Sequence, residues 1–210
     1  MKPPRQHWSA TLWFIPLALT CFATQVHAED YPGANDAAAN KAKALDVPAS
    51  LIEVKRDGDK FYVSIDVHID VAPKTAWQVL TDFPRMVKII PDLQVSKVKA
   101  GADAQHFTVQ QSGLARFGPF TQNYDSTREV ELVPYERITA HNIAGNVKGM
   151  HSVLILSGDH GGTRLVYHAD VEPGFWIPPL VGPAAVKGQT AEQFSALVRE
   201  MKRREVAGAQ

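Results

Sequence analysis

The stretch TDFPRMVKIIPD, residues 81 to 92, decides how this chain folds. It reads as the end of a helix, a break at Pro84, a second short helical piece and another stop at Pro91. Phe83, Met86, Val87, Ile89 and Ile90 make it greasier than a short helix needs for resting on a sheet. Just upstream, FYVSIDVHIDV alternates strictly, with Val63, Ile65, Val67, Ile69 and Val71 on one face and Ser64, Asp66, His68 and Asp70 on the other. An earlier strand signal runs from Leu51 to Val54, and Asp57-Gly58 between the two is a hairpin turn. Pro73 suits the first turn of a helix that continues to Leu80.

Downstream of Pro91 the strand pattern returns in LQVSKVKA, QHFTVQQSGLARF, FTQNYDSTREVELV, RITAHNIAG, MHSVLILSG and TRLVYHADVE, separated by Gly, Pro and Asn turn signals. Short joins between successive strands imply an antiparallel meander. A proline-rich corner, PGFWIPPLVGP, then leads into Ala184 to Glu205, where Val186, Ala191, Phe194, Leu197, Val198 and Met201 form one helical stripe. The expected fold is α+β. A curved antiparallel sheet of about six or seven strands wraps around a long C-terminal helix, with two short helices after the first strand. A sheet gripping a helix in this way leaves an interior space. Residues 81–92 are then expected as a lid at its mouth, with some side chains facing inward.

With Ala72, Pro73, Ala76, Trp77, Leu80, Thr81, Asp82, Phe83, Met86, Ile90 and Pro91 in this order, the chain resembles the START-like, or helix-grip, superfamily. That group includes the polyketide cyclase/dehydrase and lipid-transport proteins and the coenzyme-Q-binding START proteins. The runs REVELVPYERITAHNIAGNVKGMHSVLIL and GGTRLVYHADVEP fit its middle and late strands, so the resemblance spans about residues 50 to 205. It implies a hydrophobic cavity without a metal or organic cofactor, and it carries no universal catalytic residue. Binders, carriers and enzymes share this fold, so function must be argued from the site.

The N-terminus reads differently. Lys2 and Arg5 precede the apolar run SATLWFIPLALTCFAT, and Val26-His27-Ala28 places small residues at the −3 and −1 positions. This is the pattern of a secretory signal cut after Ala28, which predicts an exported, periplasmic protein. The cut removes Cys21, the one cysteine of the chain. Residues 29–48 are expected as a flexible leader and 49–206 as the domain. With 22 basic and 22 acidic side chains the chain has no net charge, which argues against a nucleic-acid partner.

The predicted function is binding or carriage of an apolar small molecule, lipid-, isoprenoid- or polyketide-like, by a monomer. Transient contact with a membrane or a transporter is a further expectation. The candidate cavity and lid residues are Trp77, Phe83, Met86, Ile90, Arg116, Tyr124, Arg128, Tyr167, Trp176 and Phe194. Arg116, Arg128 and Tyr124 are singled out for the polar end of a ligand. The competing reading for the two arginines is a cross-strand ion pair with a nearby carboxylate. The enzymatic alternative is a cofactor-independent cyclase or lyase using one buried acid or base, with Asp125, Glu129, Glu131 and Asp170 as strand-borne candidates. A third reading is an accessory protein-interaction module. No HExxH or GxSxG pattern occurs, and a metal site would need His141, His151 and His168 to converge from neighbouring strands. The apolar residues of the proline corner either pack under the end of the sheet or form an exposed rim at the cavity mouth.

Overall fold

A computed structural model of the chain describes residues 46–117 and 120–209. The leader peptide, its cut after Ala28 and nearly all of the expected flexible segment lie outside the described residues.

The hairpin signal at Asp57-Gly58 joins β1 (Ile52–Asp57) to β2 (Lys60–Ile69), with Gly58 at φ 56° as the turn requires. The strict alternation of β2 becomes a strict alternation of burial. Phe61, Val63, Ile65, Val67 and Ile69 are buried, and each such side chain stabilises the fold by about 1.5–3 kcal/mol. The chain then forms α1 (Pro73–Leu80), a 3-10 segment (Phe83–Lys88) and six further strands: β3 (Leu93–Ala100), β4 (His106–Phe117), β5 (Phe120–Val133), β6 (Arg137–Gly145), β7 (Val147–Asp159) and β8 (Gly162–Pro173). A long helix, α2 (Gly182–Gly208), closes the order.

Among the described residues eight strands make one antiparallel sheet in the order β1-β2-β8-β7-β6-β5-β4-β3. The count exceeds the expected six or seven because β1 pairs along its whole length with β2, and the two short helices therefore follow the second strand. The β7–β8 turn has His160 and Gly161 both at positive φ, the geometry that matches the twist of a two-residue hairpin. Phe194, Leu197, Val198 and Met201 of α2 pack in one apolar cluster with β2, β7, β8, α1 and Met86 of the 3-10 segment. This is the helix-grip architecture that the periodicity implied.

The packed domain begins slightly earlier than expected. Val47 is buried, its N–H donates to Ser195 Oγ of α2 at 2.9 Å, and Arg199 pairs with Asp46.

Candidate functional site

Two cavities lie between the concave face of the sheet and α2. One sits beneath the 3-10 segment, has a volume of about 200 Å³, and takes Phe83, Met86 and Ile90 as its outer wall. The other, of about 220 Å³, faces the proline corner, where Phe117, Phe175 and Ile177 stand. Tyr124, Tyr167, Gln193 and Phe194 line both, so these side chains form a waist between the two chambers. The rings of Tyr167 and Phe194 are tilted against one another, 5.2 Å apart at their centroids.

Most of the lining follows from strand alternation. On β5, Tyr124, Ser126, Arg128 and Val130 share the concave face, and on β4 Val109, Gln111 and Gly113 do. Among these apolar neighbours Arg128 stands out. Its Nη2 donates to the side-chain oxygen of Gln111, its buried Nε has no hydrogen-bond partner, and no carboxylate among the described residues pairs with it. Burial pulls its pKa below the ordinary arginine value, with the phenols of Tyr167 and Tyr124 drawing it back up. It nonetheless stays cationic at neutral pH. Burial pushes both phenols above the usual tyrosine range while the Arg128 charge pulls them down. Both are therefore neutral O–H groups at physiological pH.

The backbone is irregular at this point. The β5–β6 register runs Ser126 opposite Gly145 and Thr127 opposite Ala144, then jumps to Arg128 opposite Asn142. The extra residue, Ile143, makes a β-bulge beside Arg128, a device that re-aims a side chain.

A chain of hydrogen bonds leads from Arg128 to the 3-10 segment. Gln111 Nε2 donates to Ser96 Oγ at 3.1 Å, and the Ser96 hydroxyl donates to the carbonyl of Phe83 at 2.6 Å. Two ion pairs hold the ends of residues 82–92. Arg204 of α2 donates to Asp82 at 2.7 Å, and Arg116 of β4 makes a two-pronged pair with Asp92 at 2.7 and 2.8 Å. Asp92 sits at φ 60°, and its backbone oxygen accepts the N–H of Leu114 at 3.0 Å. Gly113 permits that approach, since a Cβ there would lie 2.3 Å from the same oxygen.

Of the ten residues expected at the cavity, Phe83, Met86, Ile90, Tyr124, Arg128, Tyr167 and Phe194 are brought together on its walls. Three are not. Trp77 projects from α1 onto Tyr135, 5.5 Å between ring centroids, because Ala76, Val79 and Leu80 are the buried side of that short helix. Arg116 faces outward and forms the ion pair with Asp92, the competing reading for this side chain. Trp176 is 73% exposed beyond the mouth of the second chamber. The proline corner does both things considered for it, since Ile177 is buried and Phe175 lines the chamber while Trp176 and Leu180 project outward. Sequence reasoning missed Gln111 and Ser152, polar residues whose inward direction only the strand register reveals, and Gln193, an exposed residue of α2 that borders both chambers.

Asp125, Glu129, Glu131 and Asp170 line neither chamber, and Glu129 instead meets His141 at 3.0 Å on the outer face. His141 and His151 are cross-strand partners, but among the described residues no group of three metal-ligating side chains is assembled. The ionisable groups on the chamber walls, among the described residues, are Arg128, Tyr124 and Tyr167.

If the two ion pairs and the Ser96 bond hold residues 82–92 shut, their loss has a local signature. Arg204→Ala is expected to lower hydrogen-exchange protection of the amides of residues 85–90 by about tenfold, leaving β7 and β8 unchanged. Exchange measured residue by residue checks this.

Comparison with known proteins agrees with this architecture. Residues 60–204 match the family model described as polyketide cyclase / dehydrase and lipid transport. No curated protein matches the chain. Among solved structures the chain is similar to the Zhui aromatase/cyclase from a Streptomyces species, with a TM-score of 0.57 at 15% identity over 69% of this chain and 95% of that one. It is similar to a STAR-related lipid transfer protein from Xanthomonas axonopodis, with a TM-score of 0.54 at 12% identity over 72% and 99%. A START superfamily protein from Mycobacterium smegmatis gives 0.53 at 16% over 70% and 97%. At these identities the likeness is one of fold. The family model, however, takes in most of the described domain, and the chain belongs to the polyketide cyclase/dehydrase and lipid-transport family.

Proposed function

We propose that this protein is an exported, periplasmic carrier that binds one apolar small molecule, lipid-, isoprenoid- or polyketide-like, inside the grip. The observation that carries this reading is the pair of apolar chambers meeting at Tyr124, Tyr167, Gln193 and Phe194. Burial of the ligand's apolar surface supplies the affinity, at about 25 cal/mol per Å² before ordering costs. Binding is favoured over catalysis because the chamber walls present no carboxylate or histidine among the described residues, so nothing there titrates near neutrality. The protein acts as a monomer. Trp176 and Leu180, 73% and 97% exposed beside the second chamber, form the rim that touches a membrane or a transporter during loading.

The test uses phenylnaphthylamine, a neutral apolar fluorophore. The wild-type protein is expected to take up one dye per chain. Ala140→Phe, which fills the first chamber from β6, and Gln193→Trp, which plugs the waist from α2, are each expected to weaken uptake by about tenfold or more. Gln193 is exposed, so its variant tests the cavity even where the core substitution disturbs folding. A wild-type protein that takes up no dye contradicts the reading.

A further inference from the structure

Resting on the carrier reading above, we infer that the ligand is a monoanionic amphiphile whose carboxylate is held by Arg128 in the chamber beneath residues 83–90, with its apolar tail passing the waist into the second chamber. A guanidinium carries five N–H donors, and burying one without a partner is expensive. Among the described residues Arg128 donates to Gln111, while its buried Nε finds no partner. Proteins keep buried charge where something neutralises it, and no carboxylate among the described residues does so here. The counter-charge therefore arrives with the ligand.

The surroundings specify what kind of anion. One positive charge stands in the chamber, and it balances one negative charge, which suits a carboxylate better than a doubly ionised phosphate monoester. Tyr124 and Tyr167, kept neutral by burial, bring two hydroxyls to the same chamber. Gln111 cannot turn its amide nitrogen toward the guanidinium, because that nitrogen donates to Ser96, so one prong of the arginine is fixed and the rest of the fork is left to the ligand. The bulge at Ile143 sets the local direction of the arginine stem. Apart from Ser152 and Gln193, the remaining walls of this chamber, including Leu80, Leu93, Val130, Ile138 and Leu197, are hydrocarbon, which strengthens the pairing. At the waist the wall is continuous from one chamber to the next through Tyr124, Tyr167 and Phe194, so an extended tail has an apolar path away from the charge.

The experiment compares laurate, lauryl alcohol and lauryl phosphate as competitors of phenylnaphthylamine at about pH 8, where the fatty acid is ionised in water. Wild-type protein is expected to prefer laurate to lauryl alcohol by about ten- to a hundredfold, the range of a charge-assisted hydrogen-bonded pair, and to prefer it to the phosphate. In Arg128→Gln the preference over the alcohol is expected to vanish, and Arg128→Lys restores part of it. Equal binding of laurate and alcohol to the wild-type protein overturns the head-group inference and leaves the carrier reading standing. So does an Arg128→Gln protein that keeps the preference. A preference for the phosphate overturns the assignment to carboxylate. If dye and all three amphiphiles fail to bind, both readings fall together. The wild-type comparison decides the matter even where a variant does not fold.

Discussion

Arg128→Met is expected to make the protein more stable, not less. The substitution removes a half-buried arginine, its Nε shielded from solvent, that has no carboxylate partner among the described residues and replaces it with an apolar side chain of similar length. Exchanging buried charge for well-packed hydrocarbon is worth about 1–4 kcal/mol in favourable cases. Against this stands the side-chain oxygen of Gln111, which loses its donor at a cost of about 1 kcal/mol. The net expectation is a gain of up to about 3 kcal/mol. At about 2–4 °C per kcal/mol for a chain of this size, it appears as a rise in Tm of several degrees. Urea unfolding of the two proteins, with equal m values required, gives the same number independently. A loss of more than about 1 kcal/mol would mean that the arginine is a satisfied structural group, and the head-group site would go with it. The prediction has a functional side, for a residue that costs stability and is kept in a cavity is where function is to be sought.

The second large effect is an acid weakness at the far end of α2. Glu200 accepts hydrogen bonds from Arg203 at 2.7 Å and from Arg204 at 2.7 Å, and Arg204 continues to Asp82 at the head of the 3-10 segment. The Arg203 bond foremost, then Arg204 and the two charges, lowers the Glu200 pKa from 4.5 to about 2, against the opposing cost of its partial burial. A carboxylate whose pKa falls on folding stabilises the native state fully above its unfolded value and loses that contribution as pH drops through the folded one. The window is therefore from about pH 4.5 down to about pH 2. Each pKa unit is worth about 1.4 kcal/mol, and with its side chain 16% exposed Glu200 carries on the order of 2 kcal/mol of this. Glu205, lowered by the Thr75 hydroxyl and then by the Ala72 amide, titrates in the same direction. Because Glu205 ties α2 to Ala72 and Thr75 while Glu200 holds the Arg204 that reaches Asp82, acid is expected to loosen this side of the cavity before the sheet. Denaturant unfolding of wild-type and Glu200→Gln proteins across this range checks it. The variant is expected to be weaker near neutrality and to show a flatter acid limb, and parallel limbs would contradict the assignment.

The fold was legible because its two hardest decisions are written in local chemistry. The alternation of β2 and the α2 stripe each state which side is buried, and Asp57-Gly58, Pro84, Pro91 and Gly161 mark where the chain turns. The site was legible only in part, and Arg116 and Arg128 show why. Both are arginines on long strands with aromatic and polar neighbours, and nothing in their spacing separates them. What separates them is register. The β3–β4 pairing brings Asp92 to Arg116 on the outside, while the position of Arg128 places it inward next to a bulge that no residue pattern announces. Gln111 escaped notice for the same reason, since a glutamine beside another glutamine gives no sign of which one faces in. Trp77 shares helical spacing with Ala76 and Leu80 in the sequence, yet α1 is only eight residues long and Ala76, Val79 and Leu80 use up its inner face.

Whether the grip holds an acid-headed apolar molecule is decided by native mass spectrometry. The full chain is produced in a bacterium, purified without detergent and weighed intact, and the bound species is then extracted and analysed in negative-ion mode. One apolar acid per chain is expected in the wild-type protein and markedly less in Gln193→Trp. A wild-type protein that flies at its bare polypeptide mass, or that carries a neutral lipid equally well with Arg128 replaced, would contradict it.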